Sequence, residues 1–177
     1  MCGINGIWDY ENKFDGQTLV AKMNQSLIHR GPDFQEVKPF DEVTFGHTRL
    51  AIIDLDSRSN QPMTSADGNL ILTYNGEIYN HNQLRRDLEK EGVAPSWRGQ
   101  SDTETLLAAI VHWGLDKALS RSKGMFALAL WNRDKKCLSL ARDRMGEKPL
   151  YWGWAGDDLI FGSELISFHK FLQFVKN

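Results

Sequence analysis

The sequence has too few cysteines for a disulfide scaffold: Cys2 and Cys137 are the only two in 177 residues. It also lacks an excess of either charge, with Lys+Arg 21 against Asp+Glu 23, so no basic surface for nucleic acid is implied. No apolar run approaches the roughly 20 residues that a membrane span requires. The first ten residues carry neither the basic start nor the long apolar stretch of a secretory signal. There is no internal repeat, no low-complexity tract and no phosphate-binding Gly-rich loop of the P-loop type. His29, His47, His81, His112 and His169 are scattered without metal-ligand spacing, so no metal is expected. What is left is a cytoplasmic globular chain, long enough to bury a core without staples.

The apolar pattern assigns elements. Residues 3–8 read as a buried strand, and Leu19, Met23 and Leu27 place a helix over 17–29. Residues 43–53 and 69–79 are β-branched and aromatic, as in strands. Helices are expected from Asn80, with Gln83 as its capping-box partner, and from Ser101, with Glu104 in that role. Beyond Gly124, segments 125–131, 137–143, 150–154 and 159–162 read as a meander of short strands. The order, with no regular βαβ alternation, favours layered α+β with antiparallel sheets. A terminal helix from Ser163 ends in Phe168, Phe171, Leu172, Phe174 and Val175, an apolar end that needs something to pack against.

Five short elements could carry chemistry, and each taken alone has a purely structural account. Cys2 follows the initiator methionine directly. If Met1 is removed, the thiol gains an α-amine on the same residue, an intrinsic base with a pKa of roughly 7.7–8.0. The run His29-Arg30-Gly31-Pro32-Asp33 reads as a helix-ending turn in which Arg30 and Asp33 can pair. Arg49, alone among apolar strand residues, needs a carboxylate from the protein or from a ligand. Asn75-Gly76 is either a turn or a side-chain amide beside a backbone N–H, the ingredients of an oxyanion hole. Asp102 either serves the first turn of a helix or faces a ligand ammonium. Together they describe what hydrolysis of a free amino acid's side-chain amide needs: thiol, base, oxyanion site, arginine and aspartate.

At this point the chain resembles the class II glutamine amidotransferase family, and within it the N-terminal domain of glutamine-dependent asparagine synthetases. The resemblance rests on Met1-Cys2-Gly3-Ile4, Arg30-Gly31-Pro32-Asp33, Arg49 through Asp54, Gln61-Pro62, Asn75-Gly76-Glu77-Ile78-Tyr79-Asn80, Ser101-Asp102-Thr103-Glu104, Gly124-Met125-Phe126-Ala127, Arg142-Asp143-Arg144, Gly146 and Lys148-Pro149-Leu150-Tyr151, in that order. It implies an N-terminal-nucleophile αββα four-layer sandwich with two antiparallel sheets, residues 1–177 forming one glutamine amidotransferase domain. It implies Cys2 as nucleophile, Asn75 and Gly76 as oxyanion donors, Arg49 and Asp102 on the substrate's α-carboxylate and α-ammonium, and Glu77, Leu50 and Ile52 lining the pocket. Arg30 and the segment from Arg142 to Tyr151 are expected to shape the core rather than perform chemistry.

L-glutamine is the implied substrate, yielding glutamate and ammonia with no cofactor in this domain. ATP and Mg are expected only for a C-terminal synthetase (ATP-pyrophosphatase) domain, whose Ser-Gly-Gly-x-Asp-Ser loop is not in this sequence. The apolar end fits a chain that stops at an inter-domain join. The acceptor, aspartate or a sugar carboxylate, is left open, as is a homodimer. A non-catalytic glutamine-binding module and a sugar-type amidotransferase are the competing readings.

Overall fold

The computed structural model describes residues 1–51 and 56–175, with side chains described through Leu172. Strand β1 (Gly3–Trp8) lies at the centre of a five-stranded sheet ordered β2-β3-β1-β9-β8, formed with β2 (Phe34–Phe40), β3 (Val43–Arg49), β8 (Tyr151–Ala155) and β9 (Asp158–Gly162). A second sheet, ordered β4-β5-β6-β7, contains β4 (Met63–Thr64), β5 (Leu70–Ile78), β6 (Gly124–Asn132) and β7 (Cys137–Arg142). All named strand pairs are antiparallel.

Between the sheets Val43, Phe45 and Phe161 of the first meet Ile71, Ala129 and Trp131 of the second. Helices α1 (Gly16–Ser26) and α5 (Leu165–Val175) cover the outer face of the first sheet, joined through Leu19, Val20, Met23, Ile160 and Phe171. Helices α2 (His81–Lys90), α3 (Asp102–Trp113) and α4 (Leu115–Arg121) cover the second through Leu84, Leu88, Leu106 and Leu107. The result is the four-layer α+β sandwich expected. No described helix is long and apolar enough to cross a membrane.

Local chemistry explains the boundaries. Asp15 caps α1, accepting from Thr18 N–H at 3.1 Å. The helix stops at Ser26, and a 3-10 turn (Ile28–Arg30) replaces its expected end, because Gly31-Pro32 cannot continue it. Gly46 brings α1 close: a Cβ there would lie 2.6 Å from Asn24 Oδ1 and 2.7 Å from Val20 Cγ1.

Four expectations change. The capping box at Asn80 does not form, since the Asn80 amide donates to Arg121 O (3.0 Å) and accepts from Lys123 N–H (2.7 Å) instead. The box at Ser101 is half formed: Ser101 Oγ accepts from Glu104 N–H, while the Glu104 carboxylate bonds Arg98 and Gly99 N–H. The strands after Gly124 are not one meander; the hairpin β6–β7 joins the second sheet and β8–β9 the first. β2, an edge strand carrying Glu36, Lys38 and Pro39, and the short α4 were not anticipated. Of the terminal apolar run, Phe171 is buried against α1 and Leu172 is exposed; the Phe174 and Val175 side chains lie outside the described residues.

Candidate active site

At the end of the sandwich where β1 begins and β3 and β5 finish, the sheets open into a pocket. Cys2, Arg49, Leu50, Tyr74, Asn75, Gly76, Glu77, Asp102 and Lys148 are among its walls. Register accounts for the convergence. Gly3 pairs with Thr48, which sets Cys2 beside Arg49 and Leu50 at the end of β3. The Leu50 N–H points at Cys2 Sγ from 3.4 Å, and the thiol faces Leu50 O at 3.7 Å. Burial pushes the thiol pKa up, with the Leu50 amide, the chain's amino terminus and Arg49 pulling the other way. The thiol is therefore neutral near pH 7 and needs a base to become a nucleophile.

The backbone of Cys2 is pinned as well. Arg30 Nε donates to the Cys2 carbonyl at 3.0 Å, and Arg30 Nη1 pairs with Glu164 at 2.7 Å. The local Arg30–Asp33 pair foreseen from sequence is not made. Asp33 instead accepts from Ala51 N–H at 2.8 Å, fixing the chain just past β3.

Asn75-Gly76 is not a turn. Both residues lie within β5, opposite Ala127 and Phe126. The Asn75 side chain is buried, and its Nδ2 has no acceptor among the described residues. The direction of the Gly76 N–H follows from its neighbour. Phe126 donates to Asp143 Oδ2 (3.1 Å) and its carbonyl accepts from Asp143 N–H (2.8 Å), so both groups face away from β5. The Gly76–Phe126 pair is thus a non-hydrogen-bonded one, and the Gly76 N–H points to the other side of β5. Tyr74 and Ile78 share that direction, and their N–H groups donate to Gln61 Oε1 (2.7 Å) and Asp102 Oδ2 (2.9 Å). Between those two bonds, the Gly76 N–H meets no acceptor among the described residues. A Cβ at Gly76 would lie 2.5 Å from Met125 O, so only glycine lets β6 pack this close.

Asp102 opens α3, but Ser101 does the capping. The Asp102 side chain turns to β5, where Oδ2 accepts from Tyr74 Oη at 2.7 Å as well as from Ile78 N–H. Its Oδ1 takes no bond among the described residues. Burial and the adjacent Asp102 push the Tyr74 phenol well above its ordinary pKa, so it remains a donor. Arg49 is buried at the end of β3, with Nη1 donating to Asp56 O (3.1 Å) and Asn60 Oδ1 (2.6 Å). Glu77 and Leu50 border the pocket; Ile52 lies outside the described residues.

Tyr74, Gln61 and Lys148 are among the pocket residues that were not foreseen. Tyr74 and Gln61 hold β5 and Asp102 in place, and a tyrosine in the middle of an apolar strand was the available signal. Lys148 is buried with its Nζ 2.9 Å from Met1 Sδ, whereas its segment was expected only to shape the core. Cys137 is exposed at the start of β7, far from this constellation in register.

Residues 1–177 match the family described as "Glutamine amidotransferase domain". Over 167 residues the chain is 39% identical to asparagine synthetase [glutamine-hydrolyzing] 1 of Bacillus subtilis (strain 168), covering 93% of this chain and 26% of that protein. It is 35% identical over 182 residues to amidase chyE of Penicillium rubens, covering 97% of this chain and 26% of the relative. Among solved structures, glutamine phosphoribosylpyrophosphate amidotransferase from B. subtilis, complexed with ADP and GMP, superposes with a TM-score of 0.80 at 25% identity. That match covers 95% of this chain and 43% of the other. The chain thus spans about a quarter of the length of these two curated relatives.

Proposed function

The chain belongs to the glutamine amidotransferase family, and from that premise we propose that its pocket hydrolyses the side-chain amide of L-glutamine. One observation carries the reading: a buried amide donor, Asn75 Nδ2, and the Gly76 N–H both lack acceptors in the pocket that also holds the Cys2 thiol. A core has no use for unsatisfied donors, whereas a tetrahedral oxyanion needs them.

The steps follow from the groups. While Met1 is attached, the nitrogen of Cys2 is an amide and accepts no proton. After Met1 is released, the free α-amine takes the thiol proton as Sγ attacks the glutamine Cδ. The carbonyl oxygen becomes an oxyanion held by Asn75 and Gly76. Collapse breaks the C–N bond, and the α-ammonium returns its proton to the departing nitrogen as ammonia leaves. Water, activated by the same amine, then cleaves the thioester to glutamate and restores the thiol. Arg49 meets the substrate's α-carboxylate, and the open Oδ1 of Asp102 its α-ammonium; Glu77, Leu50 and Ile52 complete the walls.

In the longer protein the ammonia would pass to an ATP- and Mg-dependent synthetase domain that amidates an acceptor carboxylate, aspartate or a sugar acid. A cytoplasmic setting suits a free thiol nucleophile.

Intact mass with and without 6-diazo-5-oxo-L-norleucine, a glutamine mimic that alkylates such thiols, tests the reading. The expected result is a starting mass lacking Met1 and one adduct at Cys2, with Cys2→Ala releasing no glutamate. Glutamate release by Cys2→Ala, or by protein retaining an N-terminal extension, would overturn it. Saturable glutamine binding with neither adduct nor glutamate would support a non-catalytic binding module.

A further inference from the structure

Lys148 is a cation that the mechanism above does not use. It is 5% exposed, and among the described residues its ammonium has no carboxylate within 4.0 Å. Its Nζ meets the Met1 thioether, a weak acceptor. Burying an ammonium without an anion is costly, and here the backbone that carries the side chain is tied down. Asp143 accepts from the N–H groups of Phe126, Met145, Glu147 and Lys148, and Arg142 Nε donates to Lys148 O at 2.6 Å. Burial works against the Asp143 charge, but these donors prevail and hold its pKa below the usual range. The loop is thereby clamped to β6 beside Phe126, the residue facing Gly76.

We propose that Lys148 is a positioning residue for the nucleophile: once Met1 has gone, its ammonium faces the space at the new α-amine of Cys2 and keeps that amine unprotonated. The proposal rests on the reading that Cys2 works with a free α-amine. Two cations at close quarters disfavour each other's charged form, and the amine, with an ordinary pKa of roughly 7.7–8.0, is the one that gives way. The other charged or titratable groups around Cys2 are Arg49 from β3, Asp102 from α3, Tyr74 and Glu77 from β5, and Arg30, which is paired with Glu164. Asp102 and Glu77 favour the protonated amine, and Lys148 opposes them. Lowering the amine's pKa toward 7 raises the fraction of enzyme that carries a working base.

The test is the pH dependence of kcat/KM for glutamine hydrolysis in processed wild type, Lys148→Met and Lys148→Arg. Loss of the charge should move the acid limb to higher pH by about 0.5–1.5 units, and arginine should restore it. A second readout needs no turnover: with ¹⁵N-cysteine labelling, the Cys2 α-amine is titrated by NMR, Cys137 serving as internal control, and should show the same upward shift. If Lys148→Met does not fold, Lys148→Gln takes its place. A lower rate with an unmoved limb and an unmoved amine would make Lys148 merely structural and overturn the proposal. Because the amine titration is independent of catalysis, an inactive wild type would defeat the glutaminase reading without deciding this one.

Discussion

At the end of the sandwich where β2 turns into β3 and β6 into β7, two cations from the β6–β7 turn reach carboxylates of the β2–β3 turn. Arg133 grips Asp41 through Nε and Nη2 at 2.8 and 3.0 Å, and Lys136 pairs with Glu42. Trp8 and Trp131 meet nearby in a tilted arrangement, with centroids 5.8 Å apart. At the other end the same strands finish differently. There Asn75 Nδ2, the Gly76 N–H and Asp102 Oδ1 lack partners among the described residues, and the Lys148 ammonium has only a thioether. Both ends close the same two sheets, so packing alone does not ask for the contrast. At the first end the ion pairs join the two sheets, and at the second the unpartnered polar groups gather around one pocket.

The contrast is broken most severely at Asn75. Asn75→Ala should lower kcat for glutamine hydrolysis by roughly 10²–10³, while thermal unfolding shows the protein unchanged or slightly more stable. A stability loss comparable to that of a core deletion would mean that the amide has a structural partner after all.

Between the ends, His47 of β3 bridges the sheets by its Nε2 contact with Tyr74 O at 3.3 Å. Burial lowers its pKa from 6.5 to about 4. Between those values the unfolded chain binds the extra proton, so stability should rise with pH from about 4 to about 6.5 and then level off. The full span is worth roughly 3 kcal/mol. Denaturant midpoints across this range should show the slope in wild type and lose it in His47→Gln; an equal slope in both would assign it to other groups.

The paired end supplies the smallest effect. Arg133→Ala should leave glutamate release untouched and lower the unfolding midpoint slightly at low ionic strength, a difference that disappears in high salt. Any change in kcat would show that the two ends communicate.

The sequence made most of the strands, the antiparallel α+β class and five of the pocket residues legible, for different reasons: Cys2 by its place after Met1, Arg49 as a charge in an apolar strand, Asn75-Gly76 as a compact pair of donors and Asp102 at a helix start. It did not show which neighbour a side chain would choose. Asn80 looked like a cap because its local spacing fits one, yet its partners Arg121 and Lys123 come from another helix's end. Asp33 was matched with Arg30 by proximity along the chain, while Glu164 reaches that arginine from just before the terminal helix. The hairpins after Gly124 have the same local pattern, and their division between two sheets depends on long-range pairing with β1 and β5. Lys148 was grouped with the Arg142 to Tyr151 segment as part of the core, and its place in the pocket depends on long-range packing such as its contact with Met1.

The alternation along β5 has a consequence for descent. Tyr74, Gly76 and Ile78 aim their N–H groups one way because they are separated by steps of two, and the flanking pair is tied to Gln61 and Asp102. Inserting or deleting a single residue in this stretch would turn Asn75 and Gly76 to the opposite face at once. Related chains can therefore vary this strand by exchange of residues but not by length. Insertions and deletions should instead collect outside the strands, in stretches such as 94–96 that lie between the Val93 N–H bond to Leu88 and the Arg98 N–H bond to Glu104.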